Sequence, residues 1–229
     1  MRIGALFTGG KDSTYSAFLA SKDSQLVCLM NAESRNPDSY MFHTVGAVLL
    51  GKQAEAMGLP LERFFTEGEK EEELNDLRKF LSEMKEKYDL EGVVSGALAS
   101  EYQFNRIGSI LDELGMKSIT PLWKTDVEKY LRDLVSDGFK AVIISVSAEG
   151  LGEEWLGREI NEENLPKLAE LSRKYRFHLG FEGGEGETTV LDGPNFRKRA
   201  VIDEYSTIHE GNKHYLDIKS AHLEEKPVR

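Results

Sequence analysis

Cysteine is almost absent from this chain. One of its 229 residues is a cysteine, Cys28, which excludes an internal disulfide framework and a zinc site built from cysteines. Cys28 lies within the apolar run 25–30. A small buried residue there is a better interpretation than a nucleophile.

Long apolar runs and an excess of positive charge are missing too. No run reaches transmembrane length, and no apolar signal segment follows Met1, so we expect no membrane partner and a cytoplasmic protein. The formal net charge is −11. Direct binding of nucleic acid is therefore not expected, because it requires a basic surface. The sequence leaves the oligomeric state open, a homo-oligomer included.

Glycine is concentrated where a strand is predicted to meet a helix. The segment after the apolar run 3–7 reads Thr8, Gly9, Gly10, Lys11, Asp12, Ser13. Paired glycines let the backbone approach an anion, and the helix that follows offers free N–H groups and the positive end of its dipole. Lys11 adds a positive charge, Ser13 a hydroxyl, and Asp12 a carboxylate that can hold a magnesium ion. The segment predicts a site for a nucleoside triphosphate with magnesium.

Two other interpretations of this segment are less favoured. A Walker P-loop needs a glycine five positions before Gly10 and a serine or threonine after Lys11, but Ala5 and Asp12 stand there. A glycine turn without a ligand is the other interpretation. It does not explain why lysine, aspartate and serine follow the glycines directly.

Strand and helix patterns alternate through the first part of the chain. Apolar runs predict strands at 3–7, 25–30, 61–66, 92–97, 118–122 and 141–146, with amphipathic helices between them. This alternation predicts an α/β fold with a mostly parallel sheet and helices on both faces, as in Rossmann-like proteins. Beyond a flexible join at 147–152, a helix at 164–175 and a hairpin around 211–212 predict a smaller α+β domain. We expect an ATP-binding domain over 1–146 and a substrate-binding domain over 147–229.

Two further segments follow predicted strands, where ligands of parallel sheets bind. After the strand at 92–97, Gly96 and Ala97 lie where the backbone can approach a nucleotide. The helix that follows carries Tyr102, Gln103 and Arg106, of which Arg106 is a candidate for the α phosphate. A surface role for Arg106 is an equally good interpretation.

The second of these segments follows the strand at 25–30. Asn31 and His43 lie where the base and ribose of a nucleotide commonly bind. A buried cap of the next helix is the slightly favoured interpretation of His43.

Three carboxylates stand on a glycine-rich segment near the C-terminal end, Glu182, Glu185 and Glu187. Like charges this close repel one another, so the arrangement suits a bound cation, an amine or ammonium. An acidic surface loop is the less favoured alternative, because apolar residues flank the segment on both sides and anchor it.

The segment Thr8–Ser13 resembles the S-G-G-x-D-S signature of the N-type ATP pyrophosphatases, with threonine in place of the first serine. The resemblance implies an adenine nucleotide alpha hydrolase-like fold and cleavage of ATP between its α and β phosphates. Further segments extend the resemblance along nearly the whole chain, to the diphthine–ammonia ligase family. These are Ser39–Thr44, Gly96–Gln103, Trp155–Arg158 and Glu182–Glu185.

That family makes diphthamide, a modified histidine of translation elongation factor 2. The resemblance implies that ATP activates the carboxylate of diphthine as an acyl-adenylate, with loss of pyrophosphate, and that ammonium supplies the nitrogen that displaces AMP. It implies catalytic roles for Lys11, Asp12, Glu182, Glu185 and Glu187. Eukaryotic members are expected to carry extra C-terminal domains. This chain is expected to resemble the short archaeal members, which have no such domains.

Two alternative functions fit part of the sequence. A tRNA-modifying ATP pyrophosphatase shares the first motif but usually needs a basic face and catalytic cysteines. A non-catalytic adenine-nucleotide-binding protein shares the first domain and has no use for the acidic segment.

Overall fold

A computed structural model describes residues 1–34, 47–66 and 72–226 of the chain. It contains nine strands and six α-helices within these ranges. The strands are β1 Arg2–Leu6, β2 Gln25–Ser34, β3 Leu61–Thr66, β4 Gly92–Val94, β5 Lys117–Ile119, β6 Lys140–Val146, β7 Gly186–Asp192, β8 Lys198–Glu210 and β9 Lys213–Glu225. The helices are α1 Lys11–Ser21, α2 Ala47–Met57, α3 Glu72–Tyr88, α4 Glu101–Glu113, α5 Val127–Ser136 and α6 Asn164–Tyr175.

The first five strands form a wholly parallel sheet in the order β3-β2-β1-β4-β5. Parallel neighbours need a crossover connection, and helices of the α/β alternation supply it, which confirms the predicted fold class. The apolar faces of α3 and α4 pack with residues of β2 and β4 in one core, which includes Leu77, Leu81, Ile110 and Leu111.

The other four strands form an antiparallel sheet in the order β7-β6-β9-β8. The sequence placed the run 141–146 at the end of the parallel series, but β6 pairs antiparallel with β7 and β9. An apolar run shows that a strand is buried, whereas the identity of its neighbours depends on segments far along the chain. Strands β8 and β9 form the predicted hairpin around Gly211, with register shifts near Glu204.

The chain divides into two compact units. One comprises Met1–Thr8, Asp12–Thr44 and Leu59–Trp123, and the other Gly9–Lys11, Val45–Gly58 and Lys124–Arg229. Helix α2 belongs to the second unit, where Leu49 packs with Ile144, Leu216 and Ile218. The expected assignment of ATP binding to 1–146 and substrate binding to 147–229 concerns what each part binds, and it stays a prediction.

Among the helices in the described ranges, none combines the length and the apolar character that a bilayer span requires.

Candidate active site

A tight turn joins β1 to α1 and forms the segment Thr8–Ser13, which we call the phosphate loop. Gly9 has a φ of +76°, a conformation that glycine adopts at little cost. The Thr8 N–H donates to Ser13 Oγ over 3.2 Å, and the two hydroxyl oxygens lie 3.1 Å apart. The hydroxyl of Thr8, which replaces the serine of the pyrophosphatase signature, therefore helps to close the turn at the start of α1.

Lys11 is buried, with 2 % of its surface exposed. Its Nζ donates to the Gly180 carbonyl over 2.7 Å and lies 5.5 Å from the centre of the Phe181 ring. Its backbone N–H donates to Thr188 Oγ1 over 3.1 Å. The residue that the sequence assigned to phosphate thus also contacts both ends of the segment Phe181–Glu187, which we call the acidic loop.

Gly96, which follows β4, lies directly against the phosphate loop. A Cβ atom at this position would be 2.7 Å from the Ser13 nitrogen and 2.9 Å from the Asp12 carbonyl carbon. Such contacts are too short for any side chain, so glycine allows the two backbones to meet. The carboxylate of Asp12 is half-buried in the first turn of α1, and Ala97 is buried next to Gly96.

Two buried polar atoms near the carboxyl ends of β2 and β4 lack a hydrogen-bond partner among the described residues. Asn31 donates through Nδ2 to the Phe7 carbonyl over 2.9 Å, while its Oδ1 accepts nothing. Ser95 Oγ likewise has no partner. An unsatisfied buried polar group costs about 1–3 kcal/mol, so these atoms fit a region that binds a polar ligand such as a nucleotide.

Helix α4 carries Arg106, the residue predicted to bind the α phosphate of ATP. The Arg106 guanidinium lies 5.3 Å from the centre of the Tyr102 ring, and Tyr102 is 37 % exposed. The ring therefore supports one face of the guanidinium. The side chain of Gln103 and all of His43 lie outside the described residues, so the predictions made for them stay predictions.

Glu185 is held by the backbone of its own loop and of the segment before it. One carboxylate oxygen accepts the His178 N–H over 2.9 Å, and the other accepts the Gly183 N–H over 2.7 Å. The Ser147 N–H in turn donates to the Glu185 carbonyl over 2.8 Å. A carboxylate that accepts two backbone N–H groups fixes the shape of the loop.

The other two carboxylates have different surroundings. Glu187 Oε1 lies 3.3 Å from Lys213 Nζ on β9, and both side chains are partly exposed. Glu182 is half-buried, and its N–H lies 3.5 Å from His178 Nδ1. The three acids that the sequence grouped together therefore have three distinct environments.

Cys28 is a core residue of β2, as predicted. Burial, together with the nearby Glu62 carboxylate, raises the pKa of the thiol to about 12. Because the thiolate is the nucleophilic form, Cys28 is inert at neutral pH.

Gln53 and Thr188 are functional candidates that the sequence did not single out. Gln53 is 1 % exposed on α2, and its Nε2 lies 2.8 Å from the Gly9 carbonyl and 2.8 Å from the Val190 carbonyl. The sequence signal for Gln53 was present, because a glutamine on the apolar face of a helix needs a buried partner.

Comparison with known proteins accounts for almost the whole chain. Residues 1–118 match the diphthamide synthase N-terminal domain, and residues 126–223 match the diphthamide synthase C-terminal domain. The chain belongs to the diphthamide synthase family. The diphthine–ammonia ligase of Mus musculus is 38 % identical over 99 % of this chain and 94 % of its own length. The diphthine–ammonia ligase of Homo sapiens is 36 % identical over the same shares. As a member of the diphthamide synthase family, the chain is an enzyme of the ligase class.

The lengths of the relatives correct one expectation. The diphthine–ammonia ligase of Schizosaccharomyces pombe is 34 % identical over 99 % of this chain but only 40 % of its own length. Extra length therefore occurs in the yeast relative and not in every eukaryotic one, since this chain covers most of the mouse protein.

Among solved structures, a predicted subunit of a tRNA methyltransferase from Methanocaldococcus jannaschii is similar over 84 % of this chain and 97 % of its own. Its TM-score is 0.45 and its identity 16 %, which is too weak a likeness to carry an argument.

Proposed function

We propose that this chain converts diphthine on translation elongation factor 2 to diphthamide, with ATP as the energy source and ammonium as the nitrogen donor. The observation that carries the proposal is the bonding of Gly9–Lys11 to both ends of the acidic loop. A loop suited to triphosphate and a loop suited to a cation or an amine meet there. A substrate that works in translation makes the cytoplasm the compartment of the reaction.

The first half-reaction activates the carboxylate of diphthine. A carboxylate oxygen attacks the α phosphorus of ATP, the bond to the β phosphate breaks, and pyrophosphate leaves while AMP stays on the acyl group. The N-terminus of α1, with Lys11, stabilises the negative charge that develops on the departing pyrophosphate. Arg106 binds the α phosphate. Asp12 would hold magnesium, which when bound adds positive charge at the phosphates.

The second half-reaction forms the amide. Bound ammonium first gives one proton to a base of the acidic loop. The nitrogen of the resulting ammonia attacks the acyl carbon, the C–O bond to AMP breaks, and a second proton passes to solvent as the amide forms. The acidic loop binds ammonium and the trimethylammonium group of diphthine through its carboxylates. Glu182 or Glu187 is the base, because the Glu185 oxygens already accept two backbone N–H groups.

One assay tests the proposal. The purified chain is incubated with ATP, magnesium, ammonium chloride and elongation factor 2 that carries diphthine. Pyrophosphate, AMP and a mass change of the substrate protein are measured. We expect all three, each dependent on diphthine. Turnover with tRNA instead would favour a tRNA-modifying pyrophosphatase, and ATP binding without turnover would favour a non-catalytic nucleotide-binding protein.

A further inference from the structure

The base of the acidic loop is closed by residues of the phosphate loop. Before the acidic loop, the Gly180 carbonyl accepts from Lys11 Nζ over 2.7 Å. After it, Thr188 Oγ1 accepts from the Lys11 N–H over 3.1 Å, and the Val190 N–H donates to the Gly9 carbonyl over 2.9 Å. The phosphate loop therefore joins the two ends of the acidic loop.

Gln53 completes this arrangement from α2. Its Nε2 donates to the Gly9 and Val190 carbonyls over 2.8 Å each, and Thr189 Oγ1 lies 3.1 Å away. A Cβ atom on Gly9 would lie 2.1 Å from Gln53 Oε1, so side chain and loop are in close contact. The buried amide group of Gln53 thus holds the Gly9 carbonyl of the phosphate loop beside Val190 of β7.

We propose that Thr188 and Gln53 are positioning residues, which hold the phosphate loop and the acidic loop in one hydrogen-bonded frame. A change in the frame then alters the binding of ATP and of ammonium together. The ATP part follows from the phosphate loop alone, whereas the ammonium part rests on the proposed function. Neither side chain is assigned contact with the reacting atoms. They act through the backbone of Gly9 and Lys11.

The first test compares two substitutions at Thr188. Thr188→Val keeps the shape and removes the hydroxyl, whereas Thr188→Ser keeps the hydroxyl. ATP affinity is measured by calorimetry without substrate protein, and the KM for ammonium by steady-state amidation. Thr188→Val should weaken both by about 10-fold, because it removes the hydroxyl that accepts from the Lys11 N–H. Thr188→Ser should stay within about 3-fold of wild type. Equal damage by both variants, or none by Thr188→Val, would overturn the proposal.

The second test uses Gln53, where shape and hydrogen bonding are separable in the same way. Gln53→Met fills the space without donors or charge. Gln53→Glu has the wild-type shape but turns a carboxylate oxygen toward the oxygens of Gly9, Thr189 and Val190. ATP affinity should fall more in Gln53→Glu than in Gln53→Met, provided that circular dichroism shows both folded. Equal affinities would mean that Gln53 only fills space. If either variant fails to fold, the Thr188 pair decides.

Lys213→Met is the matched control, because Lys213 pairs with Glu187 of the acidic loop and lies on β9. It should change the KM for ammonium and leave ATP affinity unchanged. A loss of ATP affinity equal to that of Thr188→Val would overturn the frame as the cause. A wild-type chain that binds ATP but does not amidate diphthine would contradict the proposed function, and the ATP measurements would still decide on the frame. A wild-type chain that binds no ATP would overturn both.

Discussion

Asp12 follows the buried Lys11 in the first turn of α1, and its carboxylate is the candidate magnesium ligand. Asp12→Ala should lower the rate of pyrophosphate release by at least about 100-fold, because the negative charge at the phosphates is then uncompensated. The fold should persist, since Asp12 is half-buried and a carboxylate at a helix N-terminus contributes only about 0.3–1 kcal/mol. Pyrophosphate release and the thermal midpoint are the two measurements.

A control for Asp12 is available on another helix. Glu128 also lies in the first turn of its helix, α5, outside the candidate site. Glu128→Gln should cost a comparable amount of stability and leave pyrophosphate release unchanged. A folded Asp12→Ala variant with wild-type release would remove Asp12 from the magnesium site.

Cys28 bears on the nitrogen source. Hydrolysis of glutamine usually requires a nucleophilic cysteine that forms a thioester, and the pKa of Cys28 is raised to about 12. Ammonium should therefore support amidation, glutamine should not, and Cys28→Ser should keep ammonium-dependent activity. The hydroxyl introduced into the core should lower stability by about 1–3 kcal/mol, which denaturant unfolding would measure. Amidation with glutamine alone that is lost in Cys28→Ser would contradict the prediction.

At the scale of elements, the acidic loop is organised by Glu185. In Glu185→Gln, one of the two carboxylate oxygens is replaced by an NH₂ group. This group cannot accept a hydrogen bond, so the bond from either the His178 N–H or the Gly183 N–H is lost. We expect a slower amidation step, by about 10-fold or more, and faster hydrogen exchange over the loop, with ATP affinity unchanged. Mass spectrometry of exchange and single-turnover amidation would measure these effects.

The comparison variant for Glu185 is Glu187→Gln, which removes a partly exposed ion pair with Lys213. It should slow amidation without loosening the loop, because such pairs contribute at most about 1 kcal/mol to stability. Identical exchange in both variants would mean that Glu185 does not hold the loop.

Local sequence patterns predicted most of the helices and strands. The predicted β3 and α6 match the structure end to end, at Leu61–Thr66 and Asn164–Tyr175. Strand β7 was missed, because Gly186 and the carboxylates beside it read as a loop. The juxtaposition of Gly96 with the phosphate loop was predictable, since both follow strands of one parallel sheet. The bonds of Lys11 to Gly180 and Thr188 were not, because no local pattern encodes contacts over 169 and 177 positions.

At the scale of the whole molecule, the net charge of −11 opposes compaction through self-repulsion. Raising sodium chloride from low to about 0.15 M shortens the Debye length to about 8 Å and should raise the thermal midpoint by about 2–4 °C. Differential scanning calorimetry in buffers of equal pH would measure it. A falling midpoint would show that exposed ion pairs, such as Lys129–Asp133, outweigh the repulsion.

Strand β8 forms one edge of the antiparallel sheet and has 13 residues. The backbone N–H and C=O groups on its outer side can therefore pair with a strand of another chain. The register shifts on either side of Glu204 interrupt that edge at its middle. Asp203, Glu204 and Tyr205 are exposed there, and a second copy would bring like charges together. The irregular register and the exposed carboxylates at the middle of β8 therefore protect the chain from edge-to-edge aggregation.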